Sequence, residues 1–227
     1  MNNFALFASF WHTIVINEPA KSRLNRIIIM TKVSLDSIQK LRNMTGLGML
    51  DCKKALEEAD GDIQKAVDLL RKRGAALADK RSDRETSQGV IVSYIHPGDQ
   101  VGVLIEINCE TDFVARTEDI KTFARDIAMH IAAMKPVYVS PDQVDQAYLN
   151  KEKEIAIEQL KAQGKPAAMI DKIIEGKMSK IASDVSLLKQ AFVKDEQKTI
   201  EDLLKELSAK TGENIRVKRF ARFEIGA

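Results

Sequence analysis

The clearest alternation of apolar and polar residues runs from Val101 to Arg116, in the stretch VGVLIEINCETDFVAR. Every second residue from Val101 to Cys109 is apolar, whereas Gly102, Glu106 and Asn108 fall on the opposite side. A period of two over this length, with many β-branched residues, is typical of a strand that buries one face. The alternation stops after the strand, so the pattern predicts a buried strand followed by a corner.

The corner residues Thr111–Val114 separate that strand from a helical pattern that begins at Thr117. They place an acid, Asp112, beside an aromatic residue, Phe113, where regular elements can present side chains to a partner. A simpler interpretation is that Thr111 or Asp112 caps a helix while Phe113 packs into the core. The local pattern leaves both interpretations open.

Three short segments before the strand show helical spacing. Their apolar residues are Leu35, Ile38 and Leu41; Cys52, Ala55, Leu56 and Ala59; and Ile63, Ala66, Val67 and Leu70. Ser34 and Asp62 are suited to cap the first and third helices, and Gly74 is predicted to end the third. Residues 31–79 are therefore predicted to form a three-helix module.

Residues 80–88 are highly charged, which predicts a linker. Residues 89–227 are predicted to form the core domain. A strand from Gly89 and the turn His96–Gln100 make a hairpin with the buried strand. Helices follow from Thr117, from Ser140–Pro141 to about Gln163, after Pro166, and from Ile200 to Thr211. From Asn214 the period returns to two, which predicts a last strand and an α+β fold. One face of that strand is predicted to carry Ile215, Val217, Ala221, Phe223 and Ile225.

The composition favours a helix-rich binding protein in a reducing cytoplasm. Lys and Arg number 35 and Asp and Glu 33, so the chain lacks the basic excess of a dedicated nucleic-acid binder. Two isolated cysteines indicate neither a disulfide framework nor a zinc site. The sequence has no phosphate-loop, dinucleotide-binding or HExxH motif, so we expect no cofactor, no metal and no covalent catalysis. No apolar run is long enough to predict a membrane span.

The N-terminal extension, residues 1–30, differs from the rest of the chain. It is apolar and aromatic first and weakly basic afterwards, the reverse order of a signal peptide. Two interpretations stay open. The extension is a transit peptide, or it results from an upstream start codon and the functional chain begins at Met30; the second is favoured. We expect this extension to be poorly ordered.

Three motifs in order, TGLGMLDCKKAL, TDFVA and NIRVKRFARFEIG, resemble the elongation factor Ts family from about Thr31 to the end of the chain. That family exchanges guanine nucleotide on elongation factor Tu, and its N-terminal module is of the ubiquitin-associated kind. The resemblance implies that Thr111, Asp112, Phe113 and Val114 bind the partner and displace its magnesium ion. Leu47 and Leu50 depart from the family pattern by apolar substitutions, which we expect docking to tolerate.

The resemblance also implies secondary contacts with elongation factor Tu at Arg42, Met49, Leu50 and His130. For Met49 and Leu50 the alternative is core packing, and for His130 it is a structural role beside the apolar stripe of its helix. Only one core unit can be drawn, as in the short form of the family, which pairs through its sheet into a homodimer. Binding is expected to both the GDP-bound and the nucleotide-free partner.

Two other functions stay open at the level of sequence. A non-catalytic adaptor could use the three-helix module to grip a helical or ubiquitin-like ligand, although this gives the TDFV corner no task. An RNA-associated protein could use Arg71–Arg73 and Lys218–Arg219, although these charges suit helix-end and strand-face solvation. An adaptor would not distinguish the GDP-bound partner from the free one, whereas an exchange factor must.

Overall fold

The computed structural model describes residues 33–164 and 166–226, and the predicted extension of residues 1–30 lies outside them. The chain divides into two compact units between Arg73 and Gly74. The described residues form eight α-helices and five strands, an α+β fold as predicted. In chain order these are α1 (Leu35–Thr45), α2 (Met49–Glu58), α3 (Ile63–Arg81), β1 (Gln88–Ile95), β2 (Val101–Cys109), α4 (Asp112–Ala115), α5 (Glu118–Met134), α6 (Gln146–Ala162), α7 (Ala167–Asp184), β3 (Ala191–Phe192), β4 (Asp195–Thr199), α8 (Ile200–Thr211) and β5 (Arg216–Glu224).

The first unit buries one stripe of each of its three helices, as the helical spacing predicts. Its core consists of Ile38, Leu41, Cys52, Ala55, Leu56, Ala59, Ala66 and Leu70. Ser34 and Asp62 cap α1 and α3 through bonds from the backbone N–H groups of Ser37 and of Gln64 and Lys65. Leu35 was expected in the core but lies 74% exposed, because it occupies the first position of α1, outside the buried stripe.

The prediction that Gly74 ends the third helix is wrong, because α3 continues to Arg81. The residues after the glycine, including Ala75, Ala76 and Leu77, are good helix formers and outweigh the roughly 1 kcal/mol that one glycine costs. A Cβ atom at Gly74 would lie 2.8 Å from the Cβ of Ala209. Glycine is therefore placed there for close packing against α8 rather than for a helix end.

The second unit is built on a three-stranded antiparallel sheet in the order β1-β2-β5. Helix α5 lies on one face and contacts both β1 and β2. The predicted alternation of β2 is confirmed: Val103, Ile105, Ile107 and Cys109 are buried against α5. Helix α8, the short hairpin of β3 and β4, and the segment around Leu187 complete this core.

A β-bulge in β5 overturns the predicted face of its second half. Glu106 lies opposite Arg219 and Ile107 opposite Val217, so Lys218 is inserted without a partner. An inserted residue shifts the alternation by one position. Ile215 and Val217 are buried as predicted, but Phe223 and Ile225 are 70% and 75% exposed on the opposite face.

The inner face after the bulge carries charged residues that attach β5 to the end of α5. Arg222 donates to the carbonyl oxygen of Ala132 and to the carboxylate of Glu224, and Lys135 binds Glu224 at 2.9 Å. The bonds from Arg222 and then Lys135 lower the pKa of Glu224 to about 2. The end of the strand is thus held by polar contacts.

The other face of the sheet, which we call the outer sheet face, consists of Ile91, Ser93, Ile95, Gly102, Leu104, Ala221 and Phe223. Leu104 lies opposite Ser93 and Ala221, and Gly102 opposite Ile95 and Phe223. Its large apolar side chains are exposed. The second unit thus leaves one side of its sheet without a covering layer among the described residues.

Helices α6 and α7 form an antiparallel hairpin with a small core of its own, made of Ala156, Leu160, Ile170 and Ile174. The predicted start of α6 at Ser140–Pro141 is wrong: a 3-10 turn, Pro141–Gln143, comes first, and Asp145 caps the helix. The helix after Pro166 and the last helix, which Gly212 ends in a left-handed conformation, are as predicted.

Candidate functional site

The corner Thr111–Val114 has the helix cap that the simpler interpretation predicts. Thr111 is extended, and its hydroxyl accepts a bond from the backbone N–H of Val114, which begins the single turn of α4. Val114 packs partly against the core and Ala115 is buried. These two residues anchor the turn to the sheet domain and leave its other side open.

The exposure of Phe113 contradicts the other part of the simpler interpretation, that this side chain packs into the core. The side chain is 79% exposed, the largest exposure among the large hydrophobic residues of the described chain. Asp112 beside it is partly exposed and forms an ion pair with Arg116 at 2.9 Å. The corner therefore presents an aromatic ring and an adjacent carboxylate to solvent on one short, capped turn.

Glu213 holds this corner, and no local pattern in the sequence marks it. One carboxylate oxygen accepts the backbone N–H groups of Glu110 and Thr111, each at 3.1 Å. The other accepts the Thr111 hydroxyl at 2.6 Å. Glu213 lies more than 100 positions away in the chain, in the loop between α8 and β5, so periodicity carries no signal for this contact.

Glu110 makes the reciprocal contact with the same loop. Its carboxylate accepts the backbone N–H of Asn214 at 2.6 Å and a bond from Arg84 at 3.3 Å. The bond from Asn214, followed by Arg84, lowers the pKa of Glu110. The Asn214 amide in turn donates to the carbonyl oxygens of Ser82 and Arg84. Three chain segments therefore meet behind the corner.

The corner exposes an aromatic side chain, whereas the nearby thiol at the end of β2 is buried. Cys109 is buried and donates to the carbonyl oxygen of Thr111, and burial raises the pKa of its thiol, which keeps it neutral. Among residues 33–164 and 166–226 no group of three or more His, Cys, Asp or Glu residues could hold a metal ion. The corner offers exposed apolar area beside a carboxylate that pairs with Arg116.

Of the secondary residues, Arg42, Met49 and Leu50 lie on the surface of the first unit. Leu50 is 72% and Met49 39% exposed, so neither fills the core as the alternative had allowed. Met44 and Leu35 add 57% and 74% exposed side chains to the same unit. The turn between α1 and α2 uses Gly46 in a left-handed conformation, while Gly48 has ordinary extended geometry.

His130 occupies the position that its structural alternative describes. It is fully buried, binds the side chain of Gln190 at 3.0 Å, and accepts the backbone N–H of Val193 at 3.3 Å. Burial is the main cause that lowers its pKa. In this conformation His130 offers no surface to a partner, so any effect on binding acts through the β3–β4 hairpin that it supports.

None of the helices that the structure describes is both long and apolar enough to cross a bilayer.

Comparison with known proteins gives one family. The family model "Elongation factor TS" matches residues 49–227. Elongation factor Ts of Thermotoga neapolitana is 53% identical over 195 residues, which are 86% of this chain and 98% of that protein. The Thermosipho melanesiensis protein is 53% identical over 86% of this chain and 99% of its own length. The Carboxydothermus hydrogenoformans protein is 50% identical over 86% of this chain and 89% of its own.

Proposed function

The chain belongs to the elongation factor Ts family, and we propose that it is the guanine-nucleotide exchange factor of an elongation factor Tu. It binds the GDP-bound partner, disturbs the magnesium and phosphate site, and promotes GDP release during translation elongation. The observation that carries this proposal is the exposed Phe113 beside Asp112 on a turn that hydrogen bonds hold in place. No covalent step is required, so the chain acts by binding alone.

The exposure of Phe113 sets the size of the effect. Because 79% of the side chain is exposed, almost all of its apolar surface remains to be buried in a partner. Burial of one Phe side chain contributes about 1.5–3 kcal/mol. Each tenfold decrease in the affinity of the partner for GDP needs about 1.4 kcal/mol of differential binding. Phe113 alone can therefore lower that affinity by roughly one to two orders of magnitude.

The other corner residues have separate tasks in this proposal. Phe113 wedges between elements of the nucleotide-binding domain, and Asp112 contacts the partner beside it. Thr111 and Val114 fix the turn, through the cap and through packing on the core. Such a wedge lowers GDP affinity only if the factor binds the GDP-free partner more tightly, because the coupling between two ligands is reciprocal.

We further propose that the first three helices are a ubiquitin-associated-like module, residues 31–79, which docks on the same partner. Residues 80–88 then serve as linker, and residues 89–227 as the core and dimerisation domain. The exposed Met49 and Leu50, with Arg42, support docking because clustered apolar side chains on a surface mark interaction sites. His130 contributes indirectly, by holding the β3–β4 hairpin.

The outer sheet face is the proposed homodimer interface. Its exposed side chains, including Ile91, Leu104 and Phe223, form an apolar surface on a sheet that no described layer covers. A two-fold pairing of these faces would bury the same patch on both copies. The proposed setting is the cytoplasm, with no direct binding of nucleic acid or membrane.

The proposal is tested by release of a fluorescent GDP from elongation factor Tu, with the full chain added in catalytic amounts. We expect the wild-type chain to accelerate release and Phe113→Ala to slow it at least about tenfold, from the burial of one Phe. Met169→Ala, which truncates an exposed apolar residue on α7, is the matched control and should behave as wild type.

Two outcomes would contradict this proposal. An unchanged rate with Phe113→Ala would rule out the wedge while leaving exchange intact. No acceleration by a folded wild-type chain would reject exchange altogether. An adaptor that grips its ligand through the three-helix module would then take its place.

A further inference from the structure

The proposed function leaves one contact unused, the one between Glu213 and the corner. The role inferred for Glu213 rests on that proposed function. The corner residues Glu110 and Thr111 lie between β2 and α4, where neither strand nor helix supplies partners for their backbone N–H groups. Both N–H groups donate to Glu213 instead. One side chain from a distant loop therefore replaces the missing regular structure.

The Thr111 hydroxyl transmits this contact into α4. It has one proton, which it donates to Glu213 at 2.6 Å. Its remaining lone pairs then point toward the backbone N–H of Val114, which it accepts at 3.4 Å. The carboxylate thus orients the very group that caps the turn carrying Asp112 and Phe113. Hydrogen bonds to an ionised acceptor are the stronger kind, which suits this role.

A corner that is ordered before docking does not have to be ordered by docking. Immobilising a loop and its side chains on binding carries a cost, and a structure that is already ordered avoids it. Phe113 lies two residues beyond Thr111 and contributes to exchange only when the turn aims it at the partner. We propose that Glu213 is a positioning residue, which holds the Thr111–Val114 turn in the conformation that inserts Phe113.

The first measurement needs no partner. Amide hydrogen exchange of Glu110 and Thr111 in the full chain reports directly on the bonds to Glu213. We expect Glu213→Ala to accelerate exchange at both amides by at least about tenfold, while buried β2 amides stay protected as they are in wild type. Unchanged exchange at both amides in Glu213→Ala would overturn the proposal.

The second measurement is GDP release over a range of chain concentrations. We expect Glu213→Ala to lower the maximal rate about fivefold or more and to leave the half-saturating concentration within about twofold, because the other docking surfaces are intact. Glu213→Gln keeps one acceptor oxygen and should recover part of the rate. A shift in the half-saturating concentration alone would indicate a general structural role and contradict positioning.

A double-mutant cycle separates positioning from loss of stability. If Glu213 acts through Phe113, Glu213→Ala should change the rate less than about twofold in the Phe113→Ala background. An equal loss in both backgrounds would overturn the proposal. Glu118→Ala is the matched control, because it removes a carboxylate close to the corner that pairs with Arg125. It should leave the maximal rate as in wild type.

If Glu213→Ala does not fold, Thr111→Val serves in its place. It removes the hydroxyl that links Glu213 to α4 and keeps the shape of the side chain, and the same fall in maximal rate is expected.

If the wild-type chain accelerates release and the Glu213→Ala variant accelerates it equally well, only the positioning role is contradicted. A wild-type chain without activity would defeat the exchange function, and the positioning role with it.

Discussion

At the scale of single residues, His130 is held by two hydrogen bonds that fix which ring nitrogen carries the proton. The backbone N–H of Val193 donates to Nδ1, so the proton of the neutral ring lies on Nε2 and is donated to Gln190. Protonation would place a second N–H against that of Val193. Burial also lowers the pKa of the ring, so the folded state favours neutral His130.

This geometry predicts a loss of stability on mild acidification. The unfolded ring titrates near pH 6.5 and the folded ring below it, so the unfolded state binds more protons in between. The free energy of unfolding should therefore fall as the pH drops below about 6.5 and level off beneath the folded pKa. Urea unfolding at several pH values measures this, and His130→Phe should lose that component. A His130 ring that titrates at or above its ordinary pKa would contradict the account.

The corner residues show what can be predicted from a local pattern. Thr111 follows a strand and precedes a helical stripe, which is enough to predict a cap. The exposure of Phe113 has no local signal, since an aromatic beside a cap packs inward more often than outward. Glu213 is beyond local reasoning altogether, because its contact depends on where the loop after α8 passes.

At the scale of elements, strands and helices with a strong period were predictable and short or shifted ones were not. The four buried positions of β2 and the stripe of α5 follow directly from residue spacing. The short strands β3 and β4 and the single turn of α4 are too brief to show a period. The bulge at Lys218 leaves no mark in the sequence, because the residue that it inserts is an ordinary polar one.

The bulge has a testable consequence for association. It turns Phe223 and Ile225 onto the outer side of the sheet, where both are exposed. We expect Phe223→Arg to convert a dimer to a monomer in sedimentation, because a charge buried in the pairing surface would lack a partner. The stability of the fold should be nearly unchanged, because the Phe223 side chain is exposed in the single chain.

The control is Val193→Arg, which adds the same charge at an exposed apolar residue outside the outer sheet face. It should leave the dimer intact. A wild-type chain that sediments as a monomer, or a Phe223→Arg variant that still dimerises, would show that this face is not the interface.

At the scale of the whole molecule, the chain joins a three-helix unit to a sheet domain that carries the corner. The fold class was predictable, because helical spacing dominates two regions and a period of two marks three strands. The position of the division between the two units was less predictable, because it lies inside α3, which continues past Gly74. Gly74 itself packs close to Ala209, a contact that no pattern in either segment reveals.

The Asp112–Phe113 corner is proposed to couple binding of this chain to loss of GDP from its partner. The most direct test compares the affinity of the full chain for nucleotide-free and GDP-bound elongation factor Tu, in wild type and in the Asp112→Ala, Phe113→Ala double variant. Wild type should prefer the nucleotide-free form, and the double variant should lose at least about tenfold of that preference, the minimum expected from burial of Phe113. Equal affinity of wild type for both forms, or an undiminished preference in the double variant, would contradict the account.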